Sequence, residues 1–427
     1  MSLFHHQHVR FLNRYDLSRR SFLQFVSAGA VAAGTLNFRQ LMSLQAAELR
    51  KQDRAMILLW MQGGPSQFET FDPKPHTENG GQTKAISTSV SGIQIANGWD
   101  QTAKVMNDIA LVRSVTNKEG QHQRATYQLH TGYLPTGSVR HPSLAANIAK
   151  QLADLTRDLP AVVSVGQTIG SGYLGVDYEP FVVDNPSQLP RNLEVPVAGK
   201  RYSRRLGLLD KLEDDFAARG GQTVVDNHRR LYTKASKMAL SSSVSAFDIS
   251  KESEEVRAKY GDSDFGRGCL LARRLVEAGV TFVEVQSRGW DTHDDVFNKV
   301  AKLSADVDPG FAALVSDLKE RGRLDKTLIV WMGEFGRTPK INPRTGRDHW
   351  PRVFNAAIAG GGIRGGQVIG SSSTDGTMVQ NHPVTIPDLF CTVCKSLAIN
   401  PRIESISPLG RPLKIVDGGK PVDELFA

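Results

Sequence analysis

Cysteine is scarce in this 427-residue chain: Cys269, Cys391 and Cys394 are all there is. An odd, small number excludes a disulfide framework as the source of stability. Cys391 and Cys394 have C-x-x-C spacing, but no second pair stands by to complete a zinc site. Both fall in an apolar helical pattern, so packed core thiols are expected. No block of five Lys or Arg occurs, and no motif of a nucleic-acid-binding fold. Nucleic acid is therefore not expected as a partner. No apolar run in the body of the chain is long enough to span a bilayer. No internal repeat is present, which excludes solenoids and propellers.

What is there describes a globular protein. Hydrophobic residues make up 40% and charged residues 22%, enough for a large core and too apolar for wholesale disorder. The formal net charge of +8 points first to a polyanion. Its distribution points elsewhere. Up to Ala47 the charged residues are Arg10, Arg14, Arg19, Arg20 and Arg39 against Asp16, so half of the excess sits in the leader. Ser18-Arg19-Arg20-Ser21-Phe22-Leu23 precedes a small, apolar stretch from Phe25 to Leu36. Paired arginines ahead of a modest apolar stretch resemble a twin-arginine export signal. That implies a leader over residues 1–47, the twin-arginine translocase as a partner during export, and an extracytoplasmic destination, periplasmic or secreted. Residues 48–427 remain as one large domain.

Within it, apolar runs alternate with helical patterns. Strands are expected at Ala55–Met61, Ile109–Arg113, Ala161–Val165, Thr281–Gln286, Thr327–Met332 and Phe354–Ala359. Helices are expected near Thr102–Asn107 and at His122–Thr131, Pro142–Asp154, Val307–Gly322 and Ile386–Leu397. Residues 166–200 read as an irregular excursion, and residues 203–275 as a helical insertion. The alternation implies an α/β fold with a mostly parallel central sheet and helices on both faces. Such sheets bind ligands beyond the carboxyl ends of their strands.

The polar motifs lie mainly just after the strands. Gly170-Ser-Gly172-Tyr-Leu-Gly175 matches G-x-G-x-x-G but is followed by Val-Asp-Tyr-Glu-Pro, which opens no helix, so it reads as a loop. Gly289-Trp290-Asp291-Thr292-His293 puts a carboxylate and an imidazole two apart, either metal ligands or an ordinary polar loop. Gly333-Glu334-Phe335-Gly336-Arg337 puts an acid one residue past an apolar strand, either a ligand or acid/base group or a salt-bridge partner of Arg337. Gly346-Arg347-Asp348-His349-Trp350 is a third cluster near the same edge. Three such clusters on one edge point to a site. Gly63-Gly64-Pro65-Ser66 follows the first strand, and His122 opens a helix after a polar loop, facing the same edge.

Taken in order, GGPSQFETFDPKP, HQRATYQLHTGY, GWDTH, GEFGRTP and GRDHW through GGGIRGG resemble the domain-of-unknown-function 1501 family. These are exported bacterial proteins with an alkaline phosphatase/sulfatase-like fold. The resemblance implies metal-assisted hydrolysis of a phosphate or sulfate ester, on a small molecule or a polysaccharide. By it, Asp291, His293 and His349 look like one complete metal site for a divalent ion such as zinc or calcium. The second half departs from the superfamily pattern. The first strand ends in Gln62-Gly63 where Asp-Gly is usual, and a later one in Glu334-Phe335 where Asp-His is usual. His122 stands where a Ser, Thr or Cys nucleophile is usual. His122 and Glu334 are then the expected base or nucleophile and second carboxylate, with Arg337 as an oxyanion contact. The alternative is a binding or scaffold protein that kept the fold and one ion.

Overall fold

A computed structural model describes residues 53–190, 193 and 199–427. The expected leader, residues 1–47, lies outside them. The first half of the fold comprises β1 (Ala55–Gln62), β2 (Ile109–Thr116), α1 (His122–Thr131), α2 (Leu144–Leu152), β3 (Val162–Val165) and β4 (Phe181–Val183). Helices α3 (Lys200–Phe216), α4 (Gln222–Ala239) and α5 (Asp264–Glu277) follow. The second half comprises β5 (Phe282–Arg288), α6 (Val296–Glu320), β6 (Thr327–Met332), β7 (Phe354–Ala359), β8 (Gln367–Ile369), β9 (Val384–Thr385) and α7 (Ile386–Ser396).

Nine strands form one sheet in the order β8-β2-β7-β6-β1-β5-β3-β4, with β9 beside β2. β1 is central, and all but the last of its residues are buried, as a parallel strand covered on both faces requires. Alternate residues serve opposite layers. Ile57, Leu59 and Met61 belong to the core that includes Cys269 and Leu270 of α5 and Val307, Phe311 and Leu314 of α6. Trp60 faces the other way and meets the His130 ring of α1 at 4.3 Å between centroids.

β7 is the one reversed strand of this sheet, antiparallel to both β2 and β6, with Ala357 opposite Trp331. The reversal matters for the site. Residues that precede β7 emerge at the edge where residues that follow β1, β2, β5 and β6 emerge. The Gly360–Gly366 turn leaves at the opposite edge, where Arg364 binds the Ala427 carbonyl.

β6 and β7 run over the expected residues, and α1 does so to the residue. Other regions differ. α6 begins at Val296, not Val307, and continues through Pro309. Proline lacks a donor and normally ends a helix, but Val296, Val300, Val307 and Phe311 bury one continuous face and carry it through. β4 lies inside the expected irregular excursion, held by parallel pairing with β3. The G-x-G-x-x-G segment is a loop with a short 3-10 turn at Gly172–Leu174. The helical stretch 203–275 is heterogeneous. α3 and α4 form an antiparallel hairpin reversed at Gly220 (φ 99°), whereas α5 packs on β5 and α6 as a layer of the central fold. Among the described residues no helix is long and apolar enough to cross a membrane.

Candidate metal centre

Four segments deliver side chains to one point at the carboxyl edge, and a fifth supplies a close backbone turn. β1 leads into Gly63, whose φ of 118° turns the chain under the β5 loop; a Cβ there would lie 2.4 Å from the Asp291 nitrogen. Only glycine permits that approach. β5 leads into Asp291 and His293, β6 into Glu334 and Arg337, and β2 into His122, the first residue of α1. The segment before β7 supplies His349, paired opposite Arg337 in a short antiparallel ribbon.

The three histidines share one orientation logic. His122 Nδ1 lies 2.7 Å from Glu334 Oε1. His293 Nδ1 lies 2.7 Å from Asp348 Oδ1. His349 Nδ1 lies 2.9 Å from the Gly120 carbonyl. Carboxylate and carbonyl oxygens only accept, so each Nδ1 is the donor and each neutral ring carries its lone pair on Nε2. Those Nε2 atoms converge on Asp291 Oδ1, at 3.3 Å from His122, 3.0 Å from His293 and 3.3 Å from His349. The Nε2 atoms of His293 and His349 stand 3.0 Å apart.

Electron pairs facing one another with no ring proton between them are repulsive unless a cation joins them. Donors around a tetrahedral zinc at about 2.0–2.1 Å stand about 3.3 Å apart, close to the spacing seen. His122 Nε2 is buried and unpartnered by hydrogen bonds. His122, Asp291 and His349 offer ligand atoms within 4.8 Å of one another. Ring orientation by an outer carboxylate or carbonyl is the usual support of a metal-bound histidine. The donor set therefore fits a divalent ion.

Burial alone would raise the Asp291 carboxyl, but the Arg337 hydrogen bond and charge hold it at about 2. Burial, then the Arg337 charge, lowers His349, keeping its lone pair free. The hydrogen bond with Glu334 raises His122. Glu334 is fully buried; its Oε1 also accepts from the Gly63 nitrogen at 2.9 Å, while its Oε2 has no partner.

Arg337 is also fully buried. Its Nε donates to the Gly64 carbonyl at 2.8 Å, Nη1 to the Arg347 carbonyl at 3.2 Å, and Nη2 to the Gly63 carbonyl and to Asp291 Oδ1 at 2.5 Å. The guanidinium expected as an oxyanion contact thus faces protein oxygens. Asp291, His293, His349, His122, Glu334 and Arg337 are all brought together. Ser66, by contrast, is wholly buried beneath the β1 turn. Sequence reasoning missed the supports Asp348 and the Gly120 carbonyl; the aspartate next to His349 was the available signal.

Residues 53–426 match the family model described as a protein of unknown function, DUF1501. The chain belongs to the DUF1501 family. No curated protein matches this DUF1501 chain. Among solved structures it is similar to the PsFucS1 sulfatase from Pseudoalteromonas sp., at 13% identity over 84% of this chain and 72% of that one, with a TM-score of 0.37. A putative sulfatase from Bacteroides thetaiotaomicron gives 10% identity over 82% and 71%, TM-score 0.39. The phosphonate monoester hydrolase SpPMH from Silicibacter pomeroyi gives 11% over 87% and 76%, TM-score 0.34.

Proposed function

We propose that this DUF1501 protein is an exported, metal-dependent hydrolase of a phosphate or sulfate ester. The observation that carries the metal is the convergence of three histidine lone pairs on one aspartate oxygen. The ester class rests on the ordered motifs of the sequence. Asp291, His293 and His349 would hold the ion. A nitrogen-rich set suits zinc or a similar ion better than calcium, which prefers oxygen. A divalent ion held there would supply Lewis-acid polarisation of the ester. His122 presents Nε2 to the same point as base or nucleophile, and Glu334 steadies its ring and raises its proton affinity. Arg337 positions Asp291 and the Gly63-Gly64 turn. Asp348 and the Gly120 carbonyl hold the other two rings.

One observation favours a second reading, a binding protein that retains the ion without turnover. Among the described residues no hydroxyl or thiol side chain hydrogen-bonds the four converging groups. Elemental analysis of protein purified without an affinity tag, with a panel of sulfate and phosphate monoesters, separates the two. Stoichiometric metal and turnover, both lost in a His293→Ala/His349→Ala variant, support the hydrolase. Metal without turnover on any monoester supports the binding protein. Native protein that carries no metal and matches the variant in stability sinks both. For export, replacing Arg19 and Arg20 together by Lys traps precursor in the cytoplasm; normal secretion of that variant refutes the leader.

A further inference from the structure

α3 carries its charges against its own dipole. Lys200, Arg201, Arg204 and Arg205 occupy its first two turns, and Asp210, Glu213, Asp214 and Asp215 its last two. A helix favours acids at its amino end and bases at its carboxyl end. α4 relieves part of this: Arg229 pairs with Asp210, Glu213 and Asp214, and His228 with Glu213. Among the described residues Lys200, Arg201, Arg204, Arg205 and Asp215 form no ion pair.

The same hairpin exposes apolar side chains in a pattern. Leu208, Leu212 and Phe216 are 57%, 73% and 55% exposed and recur every four residues, on one flank of α3. Val224 and Leu231, seven apart, share one flank of α4 and are also exposed. The inner face is marked by Tyr202 against Ser236 and Glu213 against His228. Counting about 100° per residue from it puts both stripes on the same side of the hairpin.

We propose that this flank is where a second copy of the chain docks, with α3 antiparallel to its twofold mate and the two hairpins forming a four-helix bundle. A segment whose halves differ in sign complements an antiparallel copy of itself, which a twofold axis supplies. An axis near Asp210 sets Leu208 against the partner subunit's Leu212 and Arg205 against the partner subunit's Asp215. The apolar stripe then closes under a polar rim, as in other bundles. Helices of this length make a face about 25 Å by 20 Å, or about 1,000 Å² over both copies. That is close to the lower bound for a specific interface, so the expected dimer is a weak, concentration-dependent one.

Sedimentation velocity on the full chain between about 1 and 100 µM tests this. The expected result is a concentration-dependent dimer that Leu208→Glu with Leu212→Glu converts to monomer. Arg205→Asp and Asp215→Arg, each at an exposed position, each weaken self-association about tenfold or more, and the two variants mixed form a dimer again. Thermal melting of each variant checks that it is folded. A monomer at the highest concentration overturns the proposal. So does a dimer that survives the leucine variants, or charge variants that fail to complement each other.

Discussion

Two buried arginines show how the framework differs from the site. Arg273 of α5 and Arg337 after β6 are 1% and 0% exposed. Arg273 sits among three carboxylates, with Glu252 at 2.8 Å, Glu277 at 2.9 Å and Asp317 at 3.0 Å. The Nε and Nη2 contacts are at ion-pair distance but off the N–H axes, since neither nitrogen completes a hydrogen bond. Burial lowers its pKa, and the hydrogen bonds with Glu252 and Glu277 more than reverse that. Arg337 has one carboxylate, Asp291, and otherwise backbone carbonyls; burial lowers its pKa and Asp291 does not make up the difference. Arg273 is over-compensated by three carboxylates of its own. Arg337 shares its single carboxylate with three histidines. That set leaves room for a second cation, and the Arg273 knot does not.

The largest expected effect is on the framework side. Arg273→Met leaves three neighbouring carboxylates without their common partner. It lowers urea-measured stability by roughly 3 kcal/mol, the low end for a broken buried pair because Glu277 and Asp317 reach solvent and Arg321 remains. Metal content per folded molecule stays unchanged. Arg337→Met strips donors from the Gly63, Gly64 and Arg347 carbonyls and costs about 2 kcal/mol. It also frees Asp291 Oδ1, so zinc affinity measured by competition with a chelating dye rises. If affinity falls in step with stability, Arg337 is framework like Arg273 and the contrast collapses.

Asp348→Asn weakens the hold on His293 and lowers zinc affinity by about tenfold, the scale of an outer-shell partner. Stability in chelator moves by less than about 0.5 kcal/mol, because Asp348 is largely exposed. The smallest effect is on pH. A protonated His122 sets a positive charge beside the ion and repels it, and the hydrogen bond with Glu334 raises its pKa. Metal affinity therefore falls as pH drops through that raised value, and Glu334→Gln extends binding to lower pH. In metal-free protein the sign is opposite. The His122–Glu334 pair contributes stability that is full below the unfolded histidine pKa and lost as pH rises through the raised folded value. A pH series of urea midpoints that Glu334→Gln leaves unaltered would remove His122 from this linkage.

Much of the fold was legible because burial writes itself into periodicity. β1, β6 and β7 are apolar runs of strand length, and α1 opens at a polar loop and closes at Gly132 (φ 78°). β4 was missed because three residues carry too little pattern. α6 was begun late because Pro309 interrupts a face that only packing on α5 keeps continuous. The residues of the candidate centre were legible as two clusters after strands and one before β7, with His122 at a helix start. Their supports were not. Asp348 lies 55 residues from the ring it holds, and the Gly120 carbonyl has no side chain to announce it.

By itself the sequence determined the α/β class, the edge on which polar residues gather and the residue types that gather there. Those follow from local rules: apolar periodicity, glycine after strands and helix starts. Only the tertiary structure decided that β7 runs backwards, which brings His349 to the edge of Asp291 instead of the far side of the sheet. It also decided which ring nitrogen faces inward and that the Arg337 guanidinium is buried. Strand direction, tautomer and burial depend on contacts between residues tens to hundreds of positions apart, and no local pattern records those distances.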